Sequence, residues 1–342
     1  MSLKNLSVVT KIPNLLENKL KNKKINQIYK NFEKSLNISQ DFAVAVSGGP
    51  DSLALAFLSK VYSIKNKLVI RIFIVDHKLR PESTNEAKTV KKVLKKSLIN
   101  AEVLTWKGKK PFNNIQSLAR KKRYELLFSK CKKYKIKNIL LGHHEDDLLE
   151  NFFIRILRGS GLKGLTSLDK QNQIEKINLL RPLIDQKKED LIYLSKQVFN
   201  FYVKDRSNED NKYQRIRIRN LIRELQKNGL DKNKFLNTIN NLKSSNKVVN
   251  FYVKENLKNN SFFSAKKNKL ILNQEFFQQP YEIVFRALSD SIKQIGKKYY
   301  PVRGKKLDRI IDNICNNQLY RATLGGCIIE KVNQTIILSK EH

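Results

Sequence analysis

The chain has 342 residues, 40% hydrophobic and 29% charged, and its 12 Gly and 7 Pro are too few for a low-complexity or collagen-like protein. At roughly 150 residues per domain, two domains are expected. Lys and Arg number 68 against 31 Asp and Glu, and a net charge of +37 makes a polyanion, nucleic acid first, the leading partner.

Residues 1–40 carry Lys at eight positions against Glu17 and Glu33 and read as a basic, helical N-terminal extension. Phe42–Val46 is a short apolar run bounded by Ser47-Gly48-Gly49-Pro50, the mark of a buried strand. A helix follows over Leu53–Ile64, then a second strand over Leu68–Asp76. A Ser83-Thr84-Asn85-Glu86 capping box opens a helix reaching about Leu98. A third strand spans Ala101–Trp106, a long basic helix Asn113–Tyr134, a fourth strand Asn138–Leu141 and a further helix Asp146–Leu157. This alternation predicts an α/β fold, a parallel sheet flanked by helices on both faces. Ligands of such sheets bind at the carboxyl ends of the strands, and Ser47–Ser52, Asp76-His77 and Gly142–Asp147 all fall there. Past about residue 225 the alternation fades. Residues 231–300 read as mostly helical, and 327–338 as a hairpin turning at Val332–Gln334. The expected organisation is an extension (1–40), a catalytic domain (41–228) and a smaller, mainly helical C-terminal domain (229–342) ending in a β-hairpin.

The sharpest motif is Ser47-Gly48-Gly49-Pro50-Asp51-Ser52 between strand and helix. Its glycines permit a tight turn, its N–H groups form an anion-binding nest backed by a helix N-terminus, and Ser47 and Ser52 add hydroxyl donors. It lacks the Gly-Lys-Ser/Thr of a Walker A loop. A carboxylate at a phosphate site repels its ligand unless a cation bridges them, so Asp51 suggests Mg²⁺. Asp147 lies four residues after His143, on one face if the helix has begun there. Of Asp146 and Asp147, one is expected to cap that helix and the other, Asp147 by preference, to face Mg²⁺ or an amine. Zinc is the rival metal, but it wants about four N/S ligands and only two or three candidates are at hand. His77 and His144 read equally well as packing or capping residues. Arg120 and Arg123 share the flank of a helix in a segment (107–135) whose only acid is Glu125. Gly159-Ser160-Gly161-Leu162-Lys163-Gly164 matches a dinucleotide fingerprint in letters but follows a helix, so a loop presenting Arg158 and Lys163 to RNA is the better reading. Arg215, Arg217 and Arg219 read as surface charge near RNA.

Ser-Gly-Gly-x-Asp-Ser after a first strand resembles the pyrophosphate (PP) loop of the N-type ATP pyrophosphatases. Further motifs are similar to the tRNA(Ile)-lysidine synthetase version: Val75–Ser83, Ala119–Tyr124, Leu141–Asp147, Arg155–Leu165, Arg181–Ile184 and Asp205–Asn208, in family order over about 47–225. The resemblance implies ATP and Mg²⁺ as cofactors. It implies adenylation of the carbonyl oxygen at carbon 2 of the wobble cytidine in tRNA(Ile) with a CAU anticodon, then attack by free L-lysine with loss of AMP. By the same resemblance Asp51, Asp146, Asp147 and Arg120 are catalytic and Asp51 and Asp147 hold the metal. Ser47, Gly48, Gly49, Pro50, Asp51, Ser52, Asp76, His77, Gly142 and His143 bind nucleotide, and Arg123, Arg158, Lys163, Arg215 and Arg219 bind RNA. The C-terminal domain would grip the tRNA body, and a homodimer stays open. Two other readings remain: a sulfur-inserting PP-loop tRNA modifier, and a non-catalytic RNA-binding protein on this fold. Cys131, Cys315 and Cys327 form no CxxC pair, which weighs against the first and against zinc or disulfides. A reduced cytoplasmic setting is expected. No membrane is expected either, since no apolar run approaches the roughly 18 residues a crossing needs.

Overall fold

The computed structural model describes residues 12–108, 115–203, 214–265, 268–298, 302 and 304–341. The chain divides into two units, Met1–Leu236 and Asn237–His342. In chain order the first contains α1 (Asn14–Leu20), α2 (Lys23–Ser35), β1 (Phe42–Val46), α3 (Pro50–Lys65), β2 (Ile70–Asp76), α4 (Ser83–Lys96), β3 (Ala101–Thr105), α5 (Ile115–Lys133), β4 (Asn138–Leu140), α6 (Glu145–Ile156), α7 (Leu162–Leu165), β5 (Gln171–Ile174), β6 (Ile177–Leu180), α8 (Lys188–Phe199) and α9 (Gln214–Lys227). The next helix, α10 (Lys232–Asn260), begins in this unit and continues in the second.

The six-stranded sheet runs β3-β2-β1-β4-β6-β5, parallel throughout except at the β5–β6 edge. Strand order reverses direction between β1 and β4, so the loops leaving these two neighbours diverge and open a crevice at their carboxyl ends. Period-two alternation places Phe42, Val44 and Val46 of β1, with Ile72 and Ile74 of β2, in one core with α3, α4 and α8. Ala43 and Phe73 face the other core, with Leu127, Phe128 and Cys131 of α5. Buried on both faces, β1 needs no polar residue, which is why it reads as one apolar run.

The lysine-rich lead-in is more than an appendage. Asn22 caps α2, its side chain accepting from the N–H groups of Lys24 and Ile25, and Ile25, Ile28, Tyr29 and Phe32 form an apolar stripe at helical spacing, buried in the first core. The expected capping box at Ser83 is absent. Glu82 is the N-cap without a side-chain bond, because Ser83 Oγ is engaged by Asp76. The β5–β6 hairpin is not expected from the sequence. Its turn is Glu175-Lys176, with φ of 48° and 66°, and neither residue announces the left-handed conformation as Asn-Gly would.

In the second unit, β7 (Ser261–Ser264), β8 (Lys269–Leu272), β9 (Arg321–Leu324), β10 (Cys327–Val332) and β11 (Thr335–Lys340) form an antiparallel sheet ordered β7-β8-β11-β10-β9. The expected hairpin is β10–β11, with Val332 paired to Thr335, but it is two strands of five. Helices α11 (Tyr281–Ile295) and α12 (Gly304–Cys315) bury Ala287, Leu288, Ile292, Leu307 and Ile311 with Leu272, Ile329 and Leu338 of the sheet. Each fully buried Leu or Ile side chain contributes about 1.5–3 kcal/mol.

Candidate active site

The loop after β1 holds itself closed. Ser52 Oγ accepts from the N–H groups of Ser47 and Gly48, both at 3.1 Å, and donates to the Gly49 carbonyl at 2.9 Å. Its hydroxyl is therefore a staple inside the loop rather than the outward donor expected. Gly48 sits at φ +91°, and a Cβ there would lie 2.5 Å from Val90 Cγ2 and 3.0 Å from Val203 Cγ2. Gly49 caps α3 and Pro50 takes the first helical position, where its missing N–H costs nothing. The first-turn N–H groups of α3 have no partner within the helix. Across it, Gly142 lets the β4 loop touch the start of α3. A Cβ there would stand 3.2 Å from the Asp51 carbonyl and the Ser52 nitrogen.

At the head of α6 the roles differ from expectation. The helix begins at Glu145, so His143 lies before it and does not share a helix face with Asp147. The N-cap is His144, not Asp146: its Nδ1 accepts from the Asp146 N–H at 3.3 Å, and its own N–H donates to Asp147 Oδ2 at 3.1 Å. With Nδ1 accepting, the ring proton sits on Nε2, which lies 3.6 Å from Asp51 Oδ2 and 3.7 Å from Asp147 Oδ2. Asp147 thus both completes the cap and shares an imidazole with Asp51. Asp146 turns the other way, paired with Lys232, which also binds Glu145. His144 takes the capping role that the sequence leaves open for it. The signal was its place directly before an acidic first turn, where a short-range acceptor is wanted.

Burial pushes the Asp51 carboxyl up, with Asp147 adding to the effect and His144 opposing it. Burial also raises Asp147, but the neighbouring His144, His143 and Arg215 side chains and the His144 N–H outweigh it, and Asp147 is held below the ordinary carboxylate value. Asp51 Oδ1 is buried without a hydrogen-bond partner among the described residues. Asp51 and Asp147 therefore fit a cation completed by phosphate oxygens and water, as magnesium usually is. Among the described residues no three His, Cys, Asp or Glu are grouped to hold a metal alone.

A cavity of about 340 Å³ lies at the strand ends, lined by Ser47, Asp51, Ser52, His77, Arg80, Arg123, Tyr124, Gly142 and His143 among others. Asp76 is not on its wall. Its Oδ1 accepts from the Lys78 N–H (3.0 Å) and Ser83 Oγ (2.9 Å) and its Oδ2 from Thr84 Oγ1 (2.8 Å), so it ties the β2 end to α4. Burial, then the positive charges of Arg181, Arg123 and Arg120, push the His143 imidazole down to about 3 despite Asp147, so it is neutral at ordinary pH. His77 is likewise lowered by burial and Arg123. A second cavity, also about 340 Å³, is lined by Asp146, Glu150, Lys188, Glu189, Arg219, Arg223 and Lys232.

Arg120 is exposed, its guanidinium 5.2 Å from the Tyr124 ring. Arg219 is not a free RNA contact, because it pairs with the buried carboxylate of Glu150, toward which Arg215 Nε also points at 3.8 Å. Arg158 Nη2 donates to Gln214 at 2.9 Å, and Lys163 is exposed on α7. Gly159 and Gly161 meet nothing within 4 Å and follow α6, so no fingerprint geometry exists there. Arg181, which the sequence marks only as part of a motif, is buried and donates through Nη1 to the Asp169 carbonyl and to Asn172. The Asp205–Asn208 motif lies outside the described residues.

Comparison with known proteins agrees with this geometry. The PP-loop domain family matches residues 17–225. The tRNA(Ile)-lysidine synthase of Wolbachia pipientis wMel is 34% identical over 308 residues, 87% of this chain and 70% of that protein. The chain belongs to the tRNA(Ile)-lysidine synthase family. The Orientia tsutsugamushi (strain Boryong) member is 35% identical over 309 residues, 87% of this chain and 69% of its own length. That of Rickettsia akari (strain Hartford) is 28% identical over 330 residues, covering 92% and 74%. Family membership makes this chain an enzyme with an ATP-using PP-loop domain. A solved U34-tRNA thiolase, NcsA from Methanococcus maripaludis with its 4Fe-4S cluster, superposes with a TM-score of 0.56 at 17% identity, over 64% of this chain and 78% of that one, and so shares the fold. In this chain burial pushes the Cys131 thiol up to about 12 and Cys327 up to about 11, and Cys315 is exposed and apart. No helix among the described residues is long and apolar enough to cross a membrane.

Proposed function

We propose that the chain is an ATP-dependent ligase joining free L-lysine to carbon 2 of the wobble cytidine in tRNA(Ile) with a CAU anticodon, through an adenylated cytidine, with release of pyrophosphate and AMP. The observation that carries it is the half-buried carboxylate of Asp51 at the β1–β4 crevice, beside a glycine loop and a helix N-terminus, with its buried Oδ1 unpartnered among the described residues. In this reading the first cavity takes ATP, with its phosphates toward the loop and α3. Asp51 and Asp147 would hold Mg²⁺, which when bound offsets charge on the phosphates. Arg123 on the cavity wall and exposed Arg120 supply further positive charge.

A ring carbonyl is a poor electrophile, and adenylation turns its oxygen into a leaving group. The lysine amine must then arrive neutral. The second cavity suits an amino acid, because it presents Glu189 beside Lys188 and Arg223. His143, neutral and with an Nδ1 that is buried and unpartnered among the described residues, can accept a hydrogen bond there. The net charge of +37 supports tRNA as the polyanion. The test is incubation with ATP, Mg²⁺, lysine and unmodified tRNA. AMP release that requires both lysine and tRNA, with a tRNA product heavier by one lysine minus water, is the expected result. Turnover without lysine, or a thiolated product, refutes it.

A further inference from the structure

The solvent face of α10 within the second unit carries aromatic rings where a soluble helix normally carries only polar groups. Val248, Phe251 and Tyr252 are 56%, 58% and 56% exposed. Lys247, Lys254 and Lys258 are exposed on the same side, at i−4, i+3 and i+7 from Phe251. From 243 to 260 the sequence offers one acid, Glu255. The helix cannot roll to hide these rings, because its opposite face is fixed. Val253 and Asn256 are buried, and Asn256 donates to the Phe276 carbonyl at 3.2 Å. Arg286, 2% exposed on α11, donates from Nη1 to Asn246 (2.6 Å) and Asn250 (3.0 Å) and from Nε to Glu282 (2.7 Å). The Phe251 and Tyr252 centroids are 5.4 Å apart with planes at 82°, so the two rings meet edge to face and remain open outward.

We infer that this face is a stacking platform for an unpaired base of the substrate tRNA, with Lys247, Lys254 and Lys258 following the flanking phosphates. The inference rests on tRNA being the substrate. Charge selects the occupant. A second copy of the same face would set lysines against lysines, whereas single-stranded nucleic acid offers both phosphates and π-faces. No sequence readout is implied, since every base can stack.

The test compares the 342-residue chain with F251A/Y252A and with K247Q/K254Q/K258Q, binding an unmodified tRNA(Ile) transcript over a range of salt. All five positions are exposed, and urea midpoints verify that the variants fold. Removing the rings should weaken binding about tenfold at unchanged salt slope. Removing the lysines should flatten the log–log slope by about 0.7 for each phosphate no longer neutralised. F251W should bind like wild type and show emission quenched by tRNA against the buried Trp106 background. Unchanged affinity of F251A/Y252A overturns the inference while the ligase reading stands, provided wild type still makes lysidine. Wild type that binds the transcript ring-dependently but makes no lysidine refutes the ligase reading alone. A dimer that F251A/Y252A dissolves, or wild type that binds no tRNA, also overturns the inference.

Discussion

Gly48→Ala tests whether the PP loop is held by packing behind it. The new Cβ would sit at φ +91° with its nearest neighbour, Val90 Cγ2, at 2.5 Å, and Val203 Cγ2 at 3.0 Å, while the Gly48 carbonyl must keep the Val203 N–H at 3.0 Å. The left-handed backbone costs about 1–2 kcal/mol and overpacking about 1–3 kcal/mol, so the variant should lose about 2–5 kcal/mol. Val90→Ala alone should cost about 2 kcal/mol, since it deletes buried methyls. In the double variant the Val90 clash is gone but the backbone strain and Val203 remain. The two changes should therefore couple favourably by about 1–2 kcal/mol. Urea unfolding followed by Trp106 fluorescence is the assay, because this sole tryptophan reports the first unit. Additivity within about 0.5 kcal/mol, or a Gly48→Ala cost that small, refutes the reasoning.

Asp51→Asn should cut AMP release by about a hundredfold or more, yet raise the urea midpoint at neutral pH. Burial lifts the Asp51 pKa in the fold, so its contribution favours the fold at low pH and is lost as pH rises through the folded value; a lower neutral midpoint would contradict this. Asp147 is the opposite case. Held low in the fold, it contributes stability above the unfolded carboxyl value of about 4 that disappears as pH falls through the folded pKa, and Asp147→Asn should flatten the acid limb of the stability profile. Glu150→Ala leaves Arg219 and Arg215 facing an empty anion site and should cost about 3–5 kcal/mol, with Glu150→Leu/Arg219→Met recovering much of it in the same unfolding assay. Replacing Cys131 and Cys327 by Ala and Cys315 by Ser should leave AMP release within a few-fold of wild type. An inactive triple variant that still folds would point to sulfur chemistry.

The strands and helices of the parallel sheet were legible because burial on both faces leaves an unmistakable apolar run, as in Phe42–Val46, while each helix between shows its own periodicity. The glycine loop was legible because its residue types have few other uses at a strand end. What stayed hidden depended on partners remote in sequence. Nothing near Asp76 reveals that Ser83 and Thr84 will consume its oxygens, and nothing near Arg219 announces Glu150. That His144 rather than Asp146 caps α6 depended on where the helix starts, a matter of one residue. The strands of the second unit were hidden for a different reason. Ser261–Ser264 follows a 29-residue helix without a break in composition, and β9 is short and partly polar.

The Ser52 hydroxyl knots three backbone groups of the loop from within the chain. If the loop takes a triphosphate as proposed, the ligand would meet a mould already tied and would spend little binding free energy on ordering it. Position 52 would then be unforgiving. Alanine would free two amides, and affinity would fall through lost order, even though the hydroxyl itself need never touch the nucleotide.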